Sequence, residues 1–175
     1  MACAASGPSG SEPRPEVERV EHAIDLSGEW NDVDSDLVAK EMITDCLSAP
    51  WLENFGGSES PKKPVVRLYP LKNRTVAYID YRYFTKQIEA ALVRSNKVEV
   101  LASLEELEDE EGETAGPAKA EESADFVMTG VIVSQEDKVE KEEVVAYLTS
   151  VELLEVATNK KVWVGQKRIR KLIKR

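Results

Sequence analysis

Val65–Val66–Arg67–Leu68–Tyr69, Lys72–Asn73–Arg74–Thr75, an apolar series at Phe84, Ile88, Ala91 and Leu92, and Val98–Glu99–Val100–Leu101 follow one another between Pro64 and Leu101. This stretch decides the fold. The first and last pieces are rich in valine and leucine and predict strands. Phe84, Ile88, Ala91 and Leu92 fall at i, i+4, i+7 and i+8, so they share one face of a helix. Asp80 suits its N-cap, and Asn96, after the cationic Arg94, suits its C-terminal stop. A strand, a crossover helix and a second strand normally form a right-handed parallel unit. The loop Lys72–Thr75 joins the first strand to the segment that leads into the helix.

Upstream, Leu37, Val38, Met42, Ile43, Cys46 and Leu47 make another helical stripe. Asp34 or Ser35 can cap it, and Pro50 is expected to stop it. Trp51, Leu52 and Phe55 continue it onto the core, and Trp30, beside a turn, packs on its own domain. Downstream, Phe126–Val133 shows little alternation and predicts an interior strand. Gln135–Lys138 reads as a polar reversal. Glu143–Val156 alternates, with Val145, Tyr147, Thr149, Val151 and Leu153 on one side. Thr158–Asn159–Lys160 reads as a hairpin turn, with Asn159 able to take a positive φ. The last strand opens at Val162–Trp163–Val164 and runs to about Ile169.

The expected fold class is therefore α/β (α+β), in two or three layers. A mixed β-sheet carries a parallel βαβ unit followed by a C-terminal antiparallel hairpin. Residues 1–23, rich in glycine, serine and proline, predict a flexible tether. Residues 24–171 predict one domain, and 172–175 a basic tail. An acidic excursion at 105–123 opens with Glu105, Glu106, Glu108, Asp109, Glu110, Glu111 and Glu113. It lacks the alternating ligands and central glycine of an EF-hand loop, so a solvated excursion is expected rather than a calcium site.

Charge and composition exclude several functions. The formal charge of -10 argues against nucleic acid, which needs a basic face. One histidine, His22, and two cysteines without CxxC spacing argue against a zinc site or a histidine-based triad. Cys46 sits in the apolar stripe and reads as a small buried hydrophobe. The Gly56–Gly57 pair lacks the spacing of a phosphate-binding loop. Asp80 and Glu99 could serve as paired carboxylates, but no nucleophile–base pair or oxyanion motif accompanies them. No enzyme activity and no cofactor are expected. No apolar run reaches the roughly 18 residues of a membrane helix. Ala2–Cys3–Ala4–Ala5–Ser6 has the look of a processed lipoprotein start, with Cys3 as lipid attachment point; from these residues alone an incidental cysteine near a flexible start is the better reading.

Several pieces in series resemble the LpoB-type penicillin-binding-protein activators, a family of outer-membrane lipoproteins. They are Ser27–Asn31, Arg67–Thr75, Ile79–Asp80 leading into the Phe84 helix, Asn96–Leu101, Ala124–Gly130 and Leu153–Trp163. The resemblance implies a domain like the N-terminal domain of TolB and a non-catalytic role. Such a protein is anchored through an N-terminal lipidated cysteine, which Cys3 matches, on the periplasmic face of the bacterial outer membrane. It binds and regulates a class A penicillin-binding protein, a peptidoglycan synthase. The expected partners are thus a protein and, through the anchor, the membrane, with no nucleic acid and no small-molecule substrate. The alternative is a structural lipoprotein subunit of an envelope or secretion assembly. The tether here is short, and the acidic excursion diverges from the family. For partner binding the loop Lys72, Asn73, Arg74 and Thr75, with nearby Tyr81, Arg82 and Tyr83, offers polar, aromatic and Arg side chains on a scaffolded loop. The competing reading is structural: Asn73 and Thr75 close a turn, and Tyr83 packs on the core.

Overall fold

The computed structural model describes residues 28–55, 62–101, 124–139 and 142–174. Two long helices cover one face of a six-stranded mixed sheet. The elements are α1 (Asp32–Cys46), α2 (Pro50–Asn54), β1 (Val65–Leu68), β2 (Lys72–Asn73), α3 (Tyr81–Ser95), β3 (Glu99–Leu101), β4 (Phe126–Val139), β5 (Glu142–Glu155) and β6 (Lys160–Lys174). The strand order is β3-β1-β4-β5-β6, and β2 also pairs with β4. β1 runs parallel to both β3 and β4, so the parallel unit expected from Pro64–Leu101 lies at one side of the sheet. β4, β5 and β6 form an antiparallel meander.

The period of the sequence builds the core. On β5, Glu143, Val145, Tyr147, Thr149, Val151 and Leu153 are buried while their neighbours are half-exposed. Phe84, Ile88 and Leu92 of α3 are fully buried, and Val38 and Cys46 of α1 join them. Val66, Met128, Ile132 and Val151 meet these side chains from the sheet. Trp30 seals one end, with ring centroids 5.6 Å from both Phe84 and Tyr147. Its indole N–H donates to Ser35 Oγ at 2.7 Å, so the polar edge is satisfied inside the core.

Caps set the helix ends. Asp80 accepts from the backbone N–H of Arg82 and of Tyr83, and Asn96 closes α3 in the left-handed region at φ 56°. α1 starts three residues earlier than Asp34 suggests. Asn31 is its N-cap, and Asp34 is the N3 partner of a capping box. Pro50 does not end α1, which stops at Cys46; it opens α2, at a position where its missing N–H costs nothing. Leu37, expected on the buried stripe, is 45% exposed, and Ala39 takes the inward place.

Three further expectations are corrected. Lys72–Asn73 is a short strand rather than loop. Gln135–Lys138 does not reverse the chain: β4 continues to Val139, and polar side chains suit this exposed end of the ribbon. The last strand runs to Lys174 rather than Ile169, and its lysines explain why. Lys171 is buried against Asp34 at 2.6 Å, and Lys167 pairs with Glu41. Trp163 Nε1 donates to Asp45 Oδ2 at 2.8 Å. These three contacts fasten β6 to α1, and residues 172–174, expected in a basic tail, are part of the strand. Asn159 turns the β5–β6 hairpin at φ 53°, as its side chain suggests.

Candidate partner-binding surface

The surface begins with an irregularity in the sheet. Leu68 pairs with Met128 and Lys72 pairs with Val131. Three residues, 69–71, therefore stand against two, 129–130. The surplus residue bulges the strand at Pro70, which has no N–H to offer the ladder. Tyr69 N–H still donates to Met128 O at 2.9 Å, and Arg74 N–H to Ile132 O at 2.8 Å, so the chain is held on both sides of the bulge.

Asn73 then organises the loop that follows. Its Oδ1 accepts from Thr75 N–H at 2.9 Å and from Thr75 Oγ1–H at 2.8 Å, and its Nδ2 donates to Ala77 O at 3.0 Å. This is the side-chain-to-backbone turn for which asparagine is suited. Past the turn the side chains alternate. Ala77 packs against the core and Ile79 is 3% exposed. Between and before them, Val76 is 89% and Tyr78 85% exposed.

The expected site residues divide accordingly. Asn73 and Thr75 shape the loop. Lys72, Arg74 and Arg82 are exposed. Tyr81 is half-buried and lines, with Tyr69, Pro70, Lys72, Arg74 and Thr129, a cleft of about 580 Å³. Tyr83 faces the other way. It lies on the α1 side of α3, where its hydroxyl donates to Asp36 Oδ1 at 3.2 Å. Burial, then the Asp36 carboxylate, pushes the Tyr83 hydroxyl pKa up. The structure thus brings Lys72, Arg74 and Tyr81 together and sets Tyr83 apart. Val76 and Tyr78 are the residues that sequence reading missed. Their alternation with Ala77 and Ile79 was visible, but the pattern does not say which side faces water.

Asp80, Glu99 and Cys46 carry group types capable of chemistry. Asp80 spends its carboxylate on the α3 cap, and Glu99 is exposed on β3. Among the described residues no three His, Cys, Asp or Glu side chains converge on a possible metal position. The Cys46 thiol is fully buried. Burial pushes its pKa up to about 12, which keeps it protonated and inert. No described helix is long and apolar enough to cross a membrane. Cys3, His22, the Gly56–Gly57 pair and the acidic excursion lie outside the described residues.

The same architecture occurs in solved structures. The LpoB C-terminal domain from Salmonella enterica matches at 16% identity and TM-score 0.54, over 79% of this chain and 99% of that one. The LpoB C-terminal domain from Escherichia coli matches at 16% identity and TM-score 0.51, with the same coverage. The NMR structure of E. coli LpoB matches at 15% identity and TM-score 0.51, over 100% of this chain and 85% of that one. At such identities the likeness shows the fold. No curated protein sequence matches the chain. A family model described as peptidoglycan-synthase activator LpoB matches residues 34–169, a span that takes in the helices, the Pro70 bulge, the Asn73 loop and most of the sheet. The chain belongs to the LpoB family of peptidoglycan-synthase activators.

Proposed function

We propose that this protein acts without catalysis, by binding a class A penicillin-binding protein and raising its activity from the periplasmic face of the outer membrane, where a lipid on Cys3 holds it. The family match over residues 34–169 is the observation that carries the reading. The bulge and the ordered loop beside it support a contact surface of Lys72, Asn73, Arg74, Thr75, Tyr81 and Arg82. A loop fixed by its own hydrogen bonds loses little entropy on docking. Tyr83, turned toward Asp36, belongs to this surface only at its margin. Stimulation then follows from preferential binding to the active conformation of the synthase, which shifts its population.

Glycan polymerisation by a purified class A synthase, with and without the chain, tests the proposal. Stimulation is expected, and it should weaken in Arg74→Ala. An unchanged rate with saturating chain would overturn the activator reading. Full stimulation by Arg74→Ala would remove that side chain from the contact. Fractionation of cells producing Cys3→Ser tests the anchor; retention of that variant in the membrane fraction would exclude Cys3.

A further inference from the structure

Val76 and Tyr78 are the two most exposed large apolar side chains among the described residues. Isolated exposed apolar residues are ordinary. These two differ because they flank half-buried Ala77 in a segment that is fastened at both ends. Asn73 holds the start, Ile79 is buried at the end, and Asp80 locks the following helix. Exposed together, they make an apolar ridge in the chain between Arg74 and Tyr81, two of the residues that line the cleft with Tyr69, Pro70 and Lys72.

The charge of this region runs against that of the chain. Lys72, Arg74 and Arg82 are exposed here. Asp80, the one carboxylate among residues 69–82, accepts from two backbone N–H groups. The chain as a whole carries -10. A cationic, aromatic patch on an acidic protein selects its partner by sign as well as by shape.

Resting on the partner-binding reading above, we propose that Val76 and Tyr78 are the anchoring side chains of the contact, and that the partner meets them with an apolar pocket rimmed by carboxylates, one acidic loop of which enters the cleft between Lys72 and Arg74. Tyrosine suits an anchor, since it brings a large apolar area on few rotatable bonds. A ridge beside a concave cleft is shaped for a protein surface rather than for a flat bilayer.

The test measures binding of the full chain to a purified class A synthase at about 50 and about 300 mM salt, either side of physiological screening. Four variants are compared: Val76→Ser, Tyr78→Ser, Lys72→Glu with Arg74→Glu, and Val93→Ser as a control on an exposed α3 position. Tyr78→Ser should weaken binding about tenfold or more, as loss of a central aromatic anchor does. The double charge reversal should weaken it about tenfold at low salt and invert the salt dependence, since the new carboxylates repel the partner's. Val93→Ser should bind as the parent does. All mutated side chains are exposed, so melting temperatures should stay together. Parent binding that no ridge or charge variant alters would overturn this inference and leave the synthase reading standing. Absence of parent binding would take down both. Binding to vesicles containing anionic lipid that fails in the ridge variants, with synthase binding intact, would make this a lipid-facing patch and overturn the inference.

Discussion

The ammonium of Lys171, near the end of the last strand, lies 2.6 Å from the carboxylate of Asp34 in the first turn of the first helix. It also donates to Glu29 O at 2.7 Å. Both side chains are about nine-tenths buried. Asp34 is simultaneously the capping partner of Asn31, with Asn31 N–H donating to it at 3.0 Å. One carboxylate thus joins the start of α1 to the far edge of the sheet. Removing one member of such a buried pair leaves the other uncompensated. Lys171→Met is expected to cost about 3 kcal/mol in urea unfolding. A loss below about 0.5 kcal/mol, the range of an exposed pair, would show that the burial of this bridge contributes nothing.

Thr149 presents the opposite case. It is fully buried on the core side of β5, and its hydroxyl has no hydrogen-bond partner among the described residues. A buried hydroxyl without a partner costs desolvation and returns nothing. Thr149→Val keeps the branched shape and is expected to stabilise the protein by about 1 kcal/mol. Thermal unfolding of the two proteins at one pH checks this. A lower melting temperature for the valine variant would mean that the hydroxyl is satisfied in solution.

Cys46 gives the protein an alkaline weakness. Its thiol is pushed from 9.0 to about 12, with burial the main cause. In the unfolded chain the thiol ionises near its ordinary value, while the folded state keeps its proton. Above pH 9 the native protein binds more protons than the unfolded one, so stability falls as pH rises. The decline is about 1.4 kcal/mol per pH unit from this group until the folded value is reached. Denaturant unfolding at pH 8 and pH 10 should show the fall, and Cys46→Ala should show less of it. Equal slopes in the two proteins would remove Cys46 as the cause.

The parts of the fold that could be read in the sequence are those where local pattern and burial agree. Phe84, Ile88 and Leu92 announced α3, and Asp80 and Asn96 its ends, because caps act within a few residues. The alternation from Val145 to Leu153 announced the core side of β5. What failed depended on distant partners. Gln135–Lys138 looked like a turn because its residues are polar, but pairing with Glu143–Ala146 makes it strand. Lys167 and Lys171 gave no local sign of their contacts, because lysine is usually exposed; the carboxylates that pair with them lie more than a hundred residues away. Lys72, Arg74 and Tyr81 could be chosen from the loop chemistry alone. Val76 and Tyr78 could not, since only the burial of Ile79 tells which side of that segment faces out.

The opening of the described domain is clipped to its close. A side chain on Gly28 would collide with Ile173, whose Cδ1 lies 2.1 Å from an ideal Cβ there, and Tyr147 Oη–H donates to Gly28 O at 3.2 Å. Gly28 and Ile173 are therefore neighbours, so the order of the gene is separable from the shape it encodes. A permuted chain, cut in the exposed turn 156–159 and joined across that corner by a short linker, would retain every strand pairing while entering the domain from the opposite pole.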